Sequence, residues 1–145
     1  MSLRERVYVA LGSNLGDREG YLAKAREALG RLPLTTVLAT SAMEETEPLG
    51  PPQPRYLNQM VLVETGLDPG RFLRMLQKIE EENGRVRGER WAPRTLDLDI
   101  VRYGTRRLRD ADLRIPHPEL PNRDWWFREM EELDSLSPAK VEKDG

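Results

Sequence analysis

The chain has 145 residues, enough for one domain with a core of its own. Its net charge of −2 provides no global basic field to draw it to nucleic acid or to an anionic membrane. It holds no cysteine and a single histidine, which excludes a disulfide framework and thiolate chemistry, argues against zinc, and is compatible with a reducing cytoplasm.

The opening segment, MSLRERVYVALGSN, has too short an apolar run for a signal peptide. No stretch approaches the ~20 apolar residues needed to cross a bilayer. Val7 to Leu11 reads as a short buried strand, and GSNLGD, Gly12 to Asp17, turns the chain. The turn lacks the lysine and hydroxyl of a phosphate-binding P-loop, so alone it signals only a tight strand-to-helix connection. A helix follows, with Leu22, Ala25, Leu29 and Leu32 at helical spacing, and Gly30 to Pro33 weakens its end. Thr35 to Thr46 reads as a second strand, TEPLGPPQPR as a proline-rich loop, and Tyr56 to Thr65 as a third strand. Asp68 followed by Pro69 starts a second helix, whose apolar stripe is Phe72, Leu73, Leu76 and Ile79 and whose end suits Gly84. A charged loop runs from Arg85 to Arg94, and a fourth strand from Thr95 to Tyr103.

The order β-α-β-β-α-β is the ferredoxin-like, α+β pattern. It predicts an antiparallel sheet with two helices on one face and long loops or the C-terminal segment over the other. Trp126, Phe127, Met130 and Leu133 form a possible helical stripe in that segment. One domain is expected over residues 1–136, with a frayed tail at 137–145.

The fourth strand carries the chemistry. In TLDLDIV, Leu96, Leu98 and Ile100 point one way, and Asp97 and Asp99 point the other. Residues two apart on a strand lie roughly 6–7 Å apart at Cα. At that distance, with an effective dielectric near 20, two carboxylates repel by roughly 2 kcal/mol. Something positive must offset this. Nearby arginines could do so in a structural salt bridge, and so could a hard divalent cation, since carboxylate oxygens suit Mg²⁺. Arg85, Arg87, Arg90 and Arg94 lie just upstream, and arginine forks bind phosphate oxygens. Carboxylates beside several arginines are the two halves of a metal–polyphosphate site. His117 lies between two prolines in RIPHPEL, and Gln77 and Glu80 border the second helix's apolar stripe. Tyr56 and Asn58 share a strand face, and Trp125 follows PNRD; their rings could stack a flat heterocycle or belong to the core.

As a set, ALGSNLGD, TEPLGPPQPRYLN, GRVR, RWAPRTLDLDI and IPHPELPNR resemble the 6-hydroxymethyl-7,8-dihydropterin pyrophosphokinases of folate biosynthesis, from about Tyr8 to Arg123. The resemblance implies transfer of the pyrophosphoryl group of ATP to the pterin's hydroxymethyl oxygen, with release of AMP and the use of two Mg²⁺ ions. It implies that Asp97 and Asp99 hold the metal and that Arg85 and Arg94 act in catalysis. Gln77, Glu80, Arg87, Arg90, Trp91, Arg94, Ile100, His117 and Arg123 would bind ATP. Thr46, Pro48, Leu49 and Asn58 would hold the pterin edge, with Tyr56 and Trp125 sandwiching its ring. No nucleic-acid or membrane partner is implied, and a monomer or at most a weak dimer is expected. Three features depart from the family, one being an arginine loop about one residue shorter than in some relatives. Trp125 stands where phenylalanine is common, followed by the charged segment WFREMEELDSL. The arginine usually found just upstream of IPHP has only Arg114 or Arg109 as a counterpart. An RNA-binding module with the same strand order and a non-catalytic homologue are the rival readings.

Overall fold

A computed structural model describes residues 3–48, 50–84 and 95–137. Strand β1 spans Glu5–Ser13, helix α1 Arg18–Gly30, β2 Thr35–Thr40, β3 Glu44–Thr46 and β4 Tyr56–Thr65. Helix α2 spans Pro69–Glu82 and β5 Asp97–Tyr103; the short strands β6, Leu108–Arg109, and β7, Arg114–Ile115, precede helix α3, Asp124–Leu136. The helices start where local chemistry dictates. Asp17 accepts the Gly20 N–H at 3.1 Å, and Asp68 accepts the Arg71 N–H at 2.9 Å with Pro69 in the first turn. Gly84, with φ of 83°, ends α2 in the left-handed conformation that glycine adopts without cost.

The main sheet runs β2-β4-β1-β5, with β3 also paired to β4, and every pairing is antiparallel. Strict alternation gives it two apolar faces. Val7, Val9, Leu11, Leu98 and Ile100 meet Leu22 and Leu29 of α1 and Phe72, Leu76 and Ile79 of α2. Ala10, Met60, Leu62 and Val101 meet Trp126, Met130 and Leu133 of α3 on the other face. The antiparallel α+β arrangement expected from the sequence is present, and α3 is the element that covers the second face.

Three expectations need correction. The strand expected over Thr35–Thr46 breaks after Thr40. Ser41 instead bonds across to β4, its hydroxyl accepting the Met60 N–H at 2.9 Å and its carbonyl accepting from Gln59 at 2.6 Å. The strand expected from Thr95 begins at Asp97. In α3, Phe127 points outward and Glu129 is buried in its place. The stripe therefore runs Trp126, Met130, Leu133, the i, i+4, i+7 rhythm of one helix face.

A β-bulge tunes β5. Pairing passes from Tyr8 opposite Arg102 to Val9 opposite Ile100, so Val101 is the extra residue. This shifts the alternation by one. Leu98, Ile100 and then Tyr103 enter the helix-side core, and Asp97, Asp99 and Val101 face the α3 side.

Because α3 closes the second core through Leu133, which is fully buried, Leu133→Ala should lower the unfolding free energy by about 2–5 kcal/mol. Urea denaturation reads this as a lowered midpoint. A loss below about 1 kcal/mol would mean that α3 does not fold cooperatively with the sheet.

Candidate active site

Helix α3 leaves one end of the second sheet face uncovered, and a cavity of about 640 Å³ lies there. The β1–β5 register places Gly12 opposite Asp97 and Ala10 opposite Asp99, so both carboxylates border this cavity. Thr46, Tyr56 and Asn58 form its β3–β4 wall, and His117, Arg123 and Trp125 form its rim. Eight residues singled out in the sequence thus meet around one space.

Gly12 lies at a close approach. A Cβ there would meet Asn58 Oδ1 at 3.3 Å and the Tyr56 ring at 3.4 Å. The bare backbone leaves room between the Tyr56–Asn58 side and the aspartates. Asn58 Nδ2 donates to Thr46 Oγ1 at 2.6 Å, fixing the amide's orientation across the two strands. The proline-rich loop is held by Asn14, whose amide donates to Gln53 Oε1 at 2.7 Å and to the Pro54 carbonyl at 3.0 Å. Gln53 and Glu47 thereby join the cavity wall.

A second recess of about 320 Å³ adjoins the first, with Leu73, Ile100, Leu113 and Arg114 on its walls. Asp99 and His117 belong to both spaces. Asp99 therefore stands at the junction of two compartments, with Asp97 beside it on the wall of the larger, where a group passing between two bound molecules would have to lie. Arg114, rather than Arg109, reaches this recess.

His117 is oriented from behind. Its Nδ1 accepts the Glu119 N–H at 3.0 Å, so the neutral ring carries its proton on Nε2. Nε2 lies 3.6 Å from Asp99 Oδ1, too long for a direct hydrogen bond. The ring packs edge-on against Trp126 at 5.1 Å between centroids, and the Arg123 guanidinium lies 4.5 Å from the Trp126 ring centre. Trp126, which the sequence offered as a stacking aromatic or as core, is core and positions two polar groups of the rim. The Trp125 Nε1–H is buried without a partner.

Glu80 accepts the Leu98 N–H through Oε2 at 2.7 Å and is 7% exposed. Strand β5 is the edge of the described sheet, so alternate N–H groups face away from β1, and Glu80 takes the one between the two aspartates. Neither Glu80 nor Gln77 borders the two spaces as described, and nor does Pro48. Leu49, Arg85, Arg87, Arg90, Trp91 and Arg94 lie outside the described residues.

The donor set fits a hard cation. Magnesium usually takes one or two carboxylates, with water and substrate phosphates completing its octahedron. Asp97 and Asp99 offer those carboxylates on one strand face beside open space. No three potential ligands cluster among the described residues, so the arrangement is not that of a closed all-protein cage.

The family model for 7,8-dihydro-6-hydroxymethylpterin-pyrophosphokinase matches residues 8–135. The chain is 43% identical over 129 residues to the 2-amino-4-hydroxy-6-hydroxymethyldihydropteridine pyrophosphokinase of Haemophilus influenzae, covering 88% of this chain and 81% of that protein. It is 47% identical over 114 residues to the protein of the same name from Pseudomonas aeruginosa, covering 78% and 70%. The Bacillus subtilis protein of that name is 43% identical over 117 residues, covering 80% and 70%.

Three carboxylates around β5 should respond differently to removal. Glu80→Ala leaves a buried N–H unpaired and should cost about 1–3 kcal/mol of stability. Asp97→Ala and Asp99→Ala each remove one of two neighbouring like charges, so the ligand-free protein should lose less stability than Glu80→Ala does. Thermal unfolding of the three variants checks this. Comparable losses in all three would make the aspartates parts of a structural salt bridge.

Proposed function

Because the chain belongs to the 7,8-dihydro-6-hydroxymethylpterin-pyrophosphokinase family, we propose that the junction of its two cavities is where a pyrophosphoryl group changes hands. The protein transfers that group from ATP to the hydroxymethyl oxygen of 6-hydroxymethyl-7,8-dihydropterin, giving AMP and the pterin diphosphate, in folate biosynthesis. The bond formed is from the hydroxymethyl oxygen to the β-phosphorus, and the bond broken joins that phosphorus to the α-phosphate bridging oxygen. Such transfer depends on positioning and charge neutralisation more than on covalent help from the protein.

The observation that supports the residue assignment is the placement of Asp99 between the two spaces, with Asp97 beside it on the wall of the larger. In this reading the larger cavity takes the pterin. Thr46 and Asn58 meet its polar edge, with Pro48 and Leu49 contributing backbone groups, and Tyr56 and Trp125 take its faces. The recess bordered by Ile100, Leu113 and Arg114 takes the nucleotide. Asp97 and Asp99 would hold Mg²⁺, two ions by the family pattern, and the bound metal would offset the developing charge on the polyphosphate. His117 acts as an Nε2–H donor to a phosphate oxygen; its other nitrogen already accepts a backbone N–H, so it is not the base. Arg123, seated on Trp126, adds positive charge at the same rim. Arg85, Arg87, Arg90 and Arg94 are assigned to the phosphates, Arg85 and Arg94 catalytically, with Gln77, Glu80 and Trp91 on the nucleotide side.

Glu80 is assigned a second task. Its bond to Leu98 N fixes the strand between the two aspartates. Among the described residues no helix is long and apolar enough to cross a membrane. We place the enzyme in the cytoplasm, as a monomer or at most a weak dimer.

The defining experiment combines the protein with Mg²⁺, ATP and the hydroxymethyl dihydropterin. AMP should form in step with the pterin diphosphate. ADP would instead indicate an ordinary kinase. Asp97→Ala and Asp99→Ala should each lower turnover a hundredfold or more, about 3 kcal/mol of transition-state stabilisation. Activity within a few-fold of the parent would remove the carboxylates from the mechanism.

The Trp125 assignment rests on ring faces. Trp125→Phe keeps a face and removes a buried donor that has no partner, so pterin binding should weaken little. Trp125→Ala should weaken pterin binding tenfold or more, about 1.4 kcal/mol, while leaving nucleotide affinity unchanged. Calorimetric titration of each ligand reads both effects. Normal pterin affinity in the alanine variant would place Trp125 in the core alone.

A further inference from the structure

Helix α3 has a second stripe beside its core face. Trp125, Glu129 and Glu132 lie at i, i+4 and i+7, along one flank. Glu132 Oε2 accepts the Ala42 N–H at 2.9 Å, so this flank faces the segment leading into β3. Arg128 Nη2 pairs with Glu44 Oε1 of β3 at 3.4 Å. Glu129 is 2% exposed, and among the described residues neither of its oxygens meets a hydrogen-bond donor while it is read as a carboxylate. Its immediate polar neighbour is the Glu44 carboxyl.

Two facing carboxylates can bond only if one carries a proton. Glu129 is the buried member of the pair and Arg128 lies against Glu44, so the proton belongs to Glu129. Burial pushes the Glu129 carboxyl up to about 9, its bond to Glu44 and the charges of Glu44 and Glu132 add to the rise, and Arg128 opposes it. Among the described residues, the other elements packed near this flank supply no further charge at this point. Strand β2 has no ionisable residue, Glu64 of β4 is opposite Arg6 at the far end of the sheet, and Tyr8 of β1 bonds Asp134 further along α3.

We propose that Glu129 is a positioning residue for the pterin pocket: as a neutral acid donating to Glu44, it ties the Trp125 flank of α3 to the strand that carries Thr46. Glu44 and Thr46 lie two apart on β3, opposite Asn58 and Tyr56 of β4, so one short strand connects the acid pair to the cavity wall. Deprotonation would set two carboxylates against each other in a closed space and lift Trp125 from that wall. The recess bordered by Leu73, Ile100 and Arg114 has no α3 residue on its walls and would be spared.

The sign follows from linkage. The folded value lies above the ordinary value of 4.5, so the stabilisation is complete below that ordinary value and is lost as pH rises through about 9. The proposal rests on the larger cavity being the pterin site, and the test separates the two claims. The near-ultraviolet circular dichroism of the tryptophans and the affinity for 6-hydroxymethyl-7,8-dihydropterin are measured between about pH 6 and pH 10, the latter with Mg²⁺ and a saturating non-hydrolysable ATP analogue. In the parent protein both should change together in the alkaline range, with pterin affinity falling up to tenfold per pH unit beyond the midpoint and analogue affinity holding. Glu129→Gln supplies an N–H donor to Glu44 at every pH and should remove the transition from both signals. If that variant fails to fold, Glu44→Gln provides the test from the other side and should move the midpoint to lower pH. A transition unchanged in the glutamine variants, or absent from the parent, overturns the proposal. Failure to bind the pterin at any pH would overturn the assignment of the cavity, and the tryptophan signal would still decide the role of Glu129.

Discussion

Strand β5 must serve two faces at once, and the rest of the molecule accommodates that demand. Leu98 and Ile100 are locked into the helix-side core, so their neighbours Asp97 and Asp99 are forced to the opposite face. A register slip of one residue would bury both carboxylates and expose both aliphatic side chains, which makes this register strongly specified. The folding energy of the core therefore fixes both carboxylates on one face. Glu80 secures the arrangement from α2, and the bulge at Val101 returns Tyr103 to the core once the aspartates are placed.

Helix α3 has the complementary task of covering the second face only in part. Its Trp126, Met130 and Leu133 close the apolar half, and its first turn ends at the cavity rim. The same helix thus seals a core and builds a binding wall. Coupling follows from this economy: Trp126 seats both His117 and Arg123, so packing of the helix start sets the position of polar groups at the junction. The two compartments share Asp99 and His117 and otherwise draw on different elements. The larger takes α3, β3 and β4, and the smaller takes α2, β5 and the β6–β7 hairpin.

Much of this was legible in the sequence where a local rule had no competitor. Strand β4 spans Tyr56–Thr65 as its pattern predicts, and Asp68-Pro69 starts α2 as capping chemistry requires. The alternation of TLDLDI gave the aspartate face directly. The failures occur where tertiary contacts decide. Nothing in SAM signals that Ser41 will bond β4 and interrupt the strand. Phe127 was the natural choice for the α3 stripe, yet it is exposed and Glu129 is buried beside Glu44. The close approach at Gly12 depends on Asn58 and Tyr56, far away in the chain. The arginine loop, prominent in the sequence, lies outside the described residues, so its assignment rests on the family pattern.

The central claim is that Asp97 and Asp99 hold divalent metal between nucleotide and pterin. Electron paramagnetic resonance of Mn²⁺, used in place of Mg²⁺, tests it most directly in the complex with a non-hydrolysable ATP analogue and the pterin. The account predicts tightly bound Mn²⁺ in the parent, with occupancy lost in Asp97→Asn and Asp99→Asn although the analogue can still bind. Equal Mn²⁺ binding in parent and variants would contradict it and assign the carboxylates a purely structural role.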